Sequence, residues 1–116
     1  MRIKTTKKKW KVGVNNNIFI NEICSLKLKN NEQISFYSNS IKERDNEICK
    51  KNWGYYLTPS LNRRLFKYKH KVFILKNLNK DYFLVIVKED KLLKFKEYCA
   101  NEKLKFFSLK KYYDKL

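Results

Sequence analysis

The sequence predicts an α+β fold, a small and mainly antiparallel sheet of about five to seven strands with two helices, near residues 58–68 and 90–102. Two contiguous apolar segments, 72–75 and 82–87, flank a short turn-rich stretch, which is typical of an antiparallel hairpin. Because neither segment alternates, both are expected to be central and buried on two faces. After residue 90, apolar residues recur at the period of an amphipathic helix. The 116 residues fit one domain, since domains typically have about 100–150 residues.

The N-terminal half contains short strand signals separated by turns rich in Asn. Strand segments are predicted at residues 10–14, 18–20, 23–28, 34–37 and 47–51. The three asparagines at 15–17 tolerate positive φ and predict a turn after the first segment. A second turn at 30–32 would pair the segment 23–28 with the segment 34–37 as a hairpin. The basic residues at about 1–9 are expected to be frayed.

The C-terminal half is predicted to contain both helices. Thr58 is a favourable N-cap, and Pro59 suits the first helical position, where its missing N–H costs no hydrogen bond. The second helix is expected to begin near Glu89 and Asp90, whose charges favour the positive end of its dipole. Its core face has residues at helical spacing, namely Leu92, Phe95 and Cys99. A last strand is expected at 104–106.

Composition excludes several classes of protein and indicates a class of partner. Apolar residues make up 43% of the chain, too many for a disordered basic tail. No apolar run approaches the about 18–20 residues of a membrane-spanning helix, so no membrane span is expected. The formal net charge of +17 predicts nucleic acid or another anionic ligand, or an acidic protein surface, as partner. Lys supplies 24 of the 28 basic residues and, like Asn, is favoured by AT-rich genomes, so part of this excess has a compositional explanation.

Cysteine and histidine content predicts no metal site, cofactor or catalytic residue. Cys24, Cys49 and Cys99 are odd in number and lack a C-x-x-C pair, so we expect free thiols in a reducing cytoplasm. His70 is the only histidine, and no paired nucleophile is visible beside it, which favours a non-enzymatic protein. Three carboxylates alternate at Glu43, Asp45 and Glu47. A solvated strand edge explains them better than a cation site does.

The most informative stretch runs from Ile48 to Lys80 and contains no acidic residue. It contains nine Lys or Arg residues and six aromatic residues, together with Gly54 and Pro59. The whole chain has only two glycines and one proline, so this pair marks a backbone with special conformational demands. Basic side chains interleaved with aromatic ones are typical of surfaces that bind single-stranded nucleic acid. We therefore expect the binding site within this stretch.

Eleven residues of this stretch are the candidates for binding an anion or nucleic acid. They are Trp53, Tyr55, Tyr56, Thr58, Ser60, Asn62, Arg63, Arg64, Lys67, Lys69 and Lys71. Tyr55 and Tyr56 are adjacent, so on an extended segment they face opposite sides, and we expect one to be packed and the other exposed. A helix that begins after Thr58 would offer free N–H groups to an anion, and Arg63 and Arg64 could add bidentate bonds. Gly54 would permit a sharp turn or a close approach by a ligand.

A purely structural interpretation competes for the same stretch. Trp53, Leu57, Leu61 and Leu65 could be core residues. Thr58 would then be an ordinary helix cap, and the arginines would lie on a solvated face.

Three function hypotheses from different classes follow. The favoured one is a small, basic, non-enzymatic protein that binds an anionic polymer, such as single-stranded nucleic acid, on a basic and aromatic face. The second is an accessory domain that binds a small phosphorylated or carboxylated ligand at the helix start between Thr58 and Arg64. The third is an interaction or inhibitor protein whose basic face meets an acidic partner. The sequence has no RNP-type run or G-x-x-G loop that would specify the first hypothesis further.

Overall fold

The computed structural model describes residues 1–37 and 44–116 of the chain. These residues form eight strands in three antiparallel sheets together with three helices, so the predicted α+β class is confirmed. The chain divides into two compact units, Met1–Ser60 and Leu61–Leu116, and each is described by itself. The single domain expected from the chain length stays a prediction.

The N-terminal unit begins with a long hairpin of two strands, β1 (Arg2–Val12) and β2 (Ile18–Lys27). In the turn between them, Gly13 and Asn16 have φ of +97° and +51°, and the N–H of Asn16 donates to the carbonyl of Gly13 at 3.1 Å. The turn predicted at the asparagine run is therefore confirmed. The frayed terminus expected at about 1–9 is not what the structure shows, because the chain pairs with β2 from Arg2 onward.

The same unit contains a three-stranded sheet in the order β3 (Gln33–Tyr37), β4 (Arg44–Lys51) and β5 (Gly54–Thr58). In the turn before β3, Asn31 has a φ of +67°, and its N–H donates to the carbonyl of Lys50 in β4 at 2.7 Å. This bond attaches the turn to β4, and β3 pairs with β4. The predicted pairing of residues 34–37 with 23–28 is therefore wrong, since β2 pairs with β1.

The C-terminal unit contains a second three-stranded sheet, with β6 (His70–Lys76) between β7 (Tyr82–Lys88) and β8 (Lys105–Ser108). The predicted hairpin of the two apolar segments is confirmed as the β6–β7 pair. The central strand β6 is mostly buried, as expected. The burial predicted for the other segment is wrong, because β7 lies at an edge and most of its side chains are exposed.

Three helices complete the unit: α1 (Arg64–Lys67), α2 (Leu92–Asn101), which follows a 3₁₀ turn at Glu89–Lys91, and α3 (Lys110–Tyr113). The helix predicted near 90–102 is confirmed, and its Cys99 is buried as expected. The helix predicted near 58–68 begins only at Arg64 and has four residues. Its expected start is instead part of β5, which is held to β4 by pairing along its whole length. No helix in residues 1–37 and 44–116 is long and apolar enough to cross a membrane.

The apolar core lies in the C-terminal unit. Its buried apolar side chains are Leu65, Val72, Phe73, Leu75, Val87 and Cys99. Phe73 of β6 packs against Phe95 of α2 and Phe106 of β8, with ring centroids 5.1 and 5.7 Å from its own. These three rings join α2 to one face of the sheet. Within the described part of the N-terminal unit, only Glu47 and Pro59 are similarly buried.

Candidate nucleic-acid interface

The β1–β2 hairpin has two chemically different faces. Cross-strand partners in an antiparallel pair lie on the same face, so the register assigns the side chains of both strands. One face, called the basic face from here on, combines cations with exposed apolar groups. Its residues are Arg2, Lys4, Lys9, Lys11, Phe19, Asn21, Ile23, Ser25 and Lys27. This set contains five Lys or Arg side chains and no Asp or Glu.

A bulge in β1 brings these cations onto one face. The register shifts between Thr5 and Lys8, so that two residues of β1 oppose one residue of β2. The extra residue reverses the alternation of β1 at this point. In a regular strand Lys4 and Lys9 would face opposite sides, because they are five positions apart. With the bulge they share the basic face.

Phe19 is the aromatic residue of the basic face. Its side chain is 68% exposed, and the Nζ of its cross-strand partner Lys11 lies 5.2 Å from the ring centroid. Ile23 on the same face is also strongly exposed. An exposed ring held beside a lysine can stack on a nucleobase while the lysine meets the neighbouring phosphate.

The opposite face of the hairpin is mainly apolar. Its residues are Ile3, Thr5, Lys8, Trp10, Val12, Ile18, Ile20, Glu22, Cys24 and Leu26. Glu22, the one acidic residue of the two strands, pairs here with Lys8. It also accepts a hydrogen bond at 3.0 Å from the Thr6 hydroxyl in the bulge. The carboxylate of the hairpin is therefore on the side away from the basic face.

A second aromatic group lies on the β4–β5 hairpin. Tyr55 and Tyr56 face opposite sides of β5, as predicted, but both are exposed, at 61% and 54%, so the expectation that one is packed is wrong. The Nζ of Lys50 lies 5.4 Å from the Tyr55 ring centroid. Trp53 is also exposed and meets Tyr56 edge to face, with centroids 6.4 Å apart. These rings form a second surface on which bases could stack.

Gly54 is required by its backbone conformation. Its φ of +148° is one that residues with a side chain rarely adopt, and no atom lies within 4 Å of where a Cβ would be. Of the two roles predicted for this glycine, the structure therefore shows the sharp turn.

Thr58 and Glu47 form a buried polar pair rather than an anion site. Glu47 is only 2% exposed, and the Thr58 hydroxyl donates to its Oε2 at 2.7 Å. Thr58 ends β5 and caps no helix, so its predicted capping role is wrong. The Thr58 hydroxyl therefore already donates to a carboxylate of the chain itself, where a phosphate or carboxylate ligand was predicted. Glu47 is also not on the solvated edge predicted for the acidic trio, whose Glu43 lies outside the described residues.

The eleven predicted site residues are divided between the two units. Trp53, Tyr55, Tyr56, Thr58 and Ser60 belong to the N-terminal unit, and Asn62, Arg63, Arg64, Lys67, Lys69 and Lys71 belong to the C-terminal unit. All six of the latter are exposed. Lys69 has a φ of +58°, and its carbonyl accepts the N–H of Glu89 at 2.8 Å, so its backbone has a structural role.

The competing core interpretation is correct for one residue of its set. Leu65 is 2% exposed and belongs to the core of the C-terminal unit. Trp53 and Leu57 are both more than half exposed, and Leu61 is 37% exposed. Trp53, Tyr55 and Tyr56 are therefore available for contacts, as the functional interpretation requires, whereas Phe73 of the same stretch belongs to the core.

Sequence reasoning missed the basic face. The sequence places Lys4 and Lys9 in the stretch expected to be frayed, Lys11 in the strand predicted at 10–14 and Phe19 in the strand predicted at 18–20. The alternation recognised from Trp10 onward extends backward through Lys9, and this signal could have lengthened the strand. The bulge has no such signal, because it depends on the pairing with β2.

Among the described residues, Glu32 and Cys99 have shifted pKa values. The pKa of Glu32 is lowered, first because its Oε1 accepts the N–H of Lys29 at 2.6 Å, and also because the α-ammonium group of Met1 lies 2.9 Å away. The α-ammonium charge thus has its counter-charge beside it and adds little to the basic face. Burial raises the pKa of the Cys99 thiol, which makes it a poor nucleophile. All three cysteines are free thiols.

Within the described residues, no three His, Cys, Asp or Glu side chains are grouped so that they could hold a metal ion. In comparisons with known proteins, no protein-family model, curated protein or solved structure matches this chain.

Proposed function

We propose that this protein binds single-stranded nucleic acid, without catalysis, on the basic face of the β1–β2 hairpin. The observation that supports this proposal is the composition of that face, with five cations, an exposed phenylalanine and no carboxylate. Cations that neutralise phosphates release counterions, which provides affinity independent of base sequence. Strands place same-face side chains about 6.6 Å apart, so the cations form a row rather than a point.

The aromatic residues favour a single strand over a duplex. A ring stacked on a base is worth about 1–3 kcal/mol, but the bases of a duplex are already stacked on each other. Phe19 lies among the lysines, and the exposed Trp53 and Tyr55 provide further rings in the same unit. The favoured ligand is therefore an unpaired DNA or RNA segment with splayed bases.

The charge of the basic face is tested by fluorescence anisotropy with a labelled oligothymidylate over a range of salt concentrations. The double variant K9Q/K11Q is compared with K8Q/K96Q, which removes the same charge from exposed positions outside the face. We expect K9Q/K11Q to reduce the slope of log affinity against log salt by about 1.4, since each phosphate contact on a single strand contributes about 0.7. Equal losses in the two variants would show that only net charge matters and would contradict the proposal.

The role of Phe19 tests the base-stacking part of the proposal. We expect F19A to weaken oligothymidylate binding by about five- to a hundredfold, the equivalent of one lost stack. F19W should restore it, and I23A, which shortens another exposed apolar side chain of the same face, should leave it unchanged. If F19A binds oligothymidylate as well as the unmodified protein, Phe19 does not stack on a base, and this part of the proposal is wrong.

The second hypothesis, an accessory domain that binds a small anionic ligand, depends on a helix start that the structure does not have at the predicted position. A small phosphorylated or carboxylated ligand was expected at a helix start between Thr58 and Arg64, but the helix begins at Arg64 and Thr58 is bonded to buried Glu47. A helix of four residues has little dipole to offer an anion.

A further inference from the structure

A cavity of about 250 Å³ lies inside the C-terminal unit, far from the basic face in sequence and separate from the proposed function. Its apolar lining includes Leu65 and Phe66 of α1 and Val72 of β6. Its polar lining includes His70, Ser108 and Tyr113. An engineered apolar cavity of about 150 Å³ is enough to hold benzene, so this one has room for a substituted ring.

His70 is the most buried polar residue of the cavity lining. Only 7% of its surface is exposed, and its Nδ1 is shielded from solvent without a hydrogen-bond partner among residues 1–37 and 44–116. Buried polar atoms in native proteins are nearly always hydrogen-bonded, and an unpaired one costs free energy. A ligand that forms a hydrogen bond with the imidazole would reduce that cost.

The charge at the rim indicates the sign of the ligand. Among the described residues that line the cavity, Lys71 and Lys110 are the cations and Glu89 is the carboxylate, and all three are exposed. Lys110 has its Nζ 5.8 Å from the Phe66 ring centroid, so it lies next to the apolar wall. Its contact with Asp114 is 3.9 Å long and open to solvent, so exchanging that partner for a ligand costs little.

We propose that this cavity binds a small aromatic carboxylate. The ring lies against Leu65, Phe66 and Val72, and the carboxylate is directed to His70 and Lys110. Apolar walls with a few convergent polar groups are the usual composition of small-molecule sites. The carboxylate can accept a hydrogen bond from an imidazole N–H, and it carries the negative charge that the rim favours.

The test uses the full chain and the single histidine as its own probe. Because His70 is the only histidine, NMR detects one set of imidazole ring signals. Sodium benzoate is titrated into the protein while these signals are followed. We expect a saturable shift, with benzyl alcohol, which has the ring without the charge, binding about tenfold more weakly. Acetate, which has the charge without the ring, should also bind more weakly.

Two neighbouring lysines provide matched variants at exposed positions, so neither is expected to impair folding. Lys110 lines the cavity and Lys111 does not. We expect K110Q to weaken benzoate binding by about fivefold or more, and K111Q to leave it unchanged. Imidazole signals that do not move, that move without saturation, or that respond equally to benzyl alcohol would overturn the proposal. Equal weakening in K110Q and K111Q would do the same, because it would show attraction to net charge alone.

Discussion

The two units of this protein have similar charge and bury their apolar side chains very differently. The N-terminal unit has 12 basic and 5 acidic residues, and the C-terminal unit has 16 and 6. Yet among the described residues, and apart from Pro59, all six buried apolar side chains lie in the C-terminal unit. Net charge therefore does not distinguish the units, whereas the arrangement of the side chains does.

The difference shows how a sheet can organise charge. In the C-terminal unit α2 packs on one face of the sheet, and the aromatic cluster holds the two together. In the β1–β2 hairpin both faces keep substantial exposure, and the pleat sorts cations to one of them. A lysine-rich composition alone would spread charge evenly, so the sorting is the informative property.

The largest expected effect is on the free energy of unfolding, through the aromatic cluster of Phe73, Phe95 and Phe106. Phe73 is 7% exposed, and F73A would leave a cavity between β6, α2 and β8, so we expect the free energy of unfolding to fall by about 3–5 kcal/mol. The control F83A removes the same ring from the exposed edge strand β7, where a loss of less than about 1.5 kcal/mol is expected. Urea denaturation followed by circular dichroism measures both. Similar losses would mean that the core is not concentrated where the structure places it.

The next effect concerns the buried polar pair of the N-terminal unit. T58V keeps the shape of the side chain but removes the hydroxyl that donates to Glu47, so we expect a loss of about 1–3 kcal/mol. T5V in β1 makes the same change at an exposed position and should alter stability by less than about 0.5 kcal/mol. Urea denaturation again provides the measurement. If T58V is as stable as T5V, the hydroxyl contributes nothing to the burial of this carboxylate.

A smaller effect is expected from removing the extra residue of the bulge. Deleting Lys7 leaves the pairs on both sides in register, so the basic face should keep its cations. Affinity for oligothymidylate should then change by less than about twofold, well below the effect of K9Q/K11Q. Anisotropy at one low salt concentration is sufficient to measure it. A loss as large as that of K9Q/K11Q would show that the bulge itself contacts the ligand.

The smallest effect concerns Glu32. Its pKa is lowered by the N–H of Lys29 and by the α-ammonium group, so these interactions are present above the ordinary pKa and are lost as the pH falls through the lowered one. Carboxyl NMR should show Glu32 titrating below the ordinary range of a glutamate, and acetylation of the α-amino group should move its pKa partway back. A titration midpoint of Glu32 at the ordinary value of a glutamate would contradict the geometry at the start of β1.

Segments whose signal is local could be predicted from sequence. The apolar runs became β6 and β7, and Leu92, Phe95 and Cys99 marked the inner side of α2. The asparagine run became a turn because Asn16 tolerates a positive φ. The error at Thr58 and Pro59 also comes from a local signal. A good N-cap followed by proline is typical of a helix start, but the pairing of β5 with β4 keeps Thr58 in a strand.

The candidate sites depended on contacts between distant residues. Composition and spacing were enough to predict the α+β class, the β6–β7 hairpin and an aromatic, acid-free stretch, because hydrophobic period and turn propensity act over a few residues. The grouping of Lys4 with Lys9, the pairing of Thr58 with Glu47 and the burial of His70 came from the folded structure. Register and burial are set by which distant segments meet, and a shift of one residue exchanges the two faces of a strand.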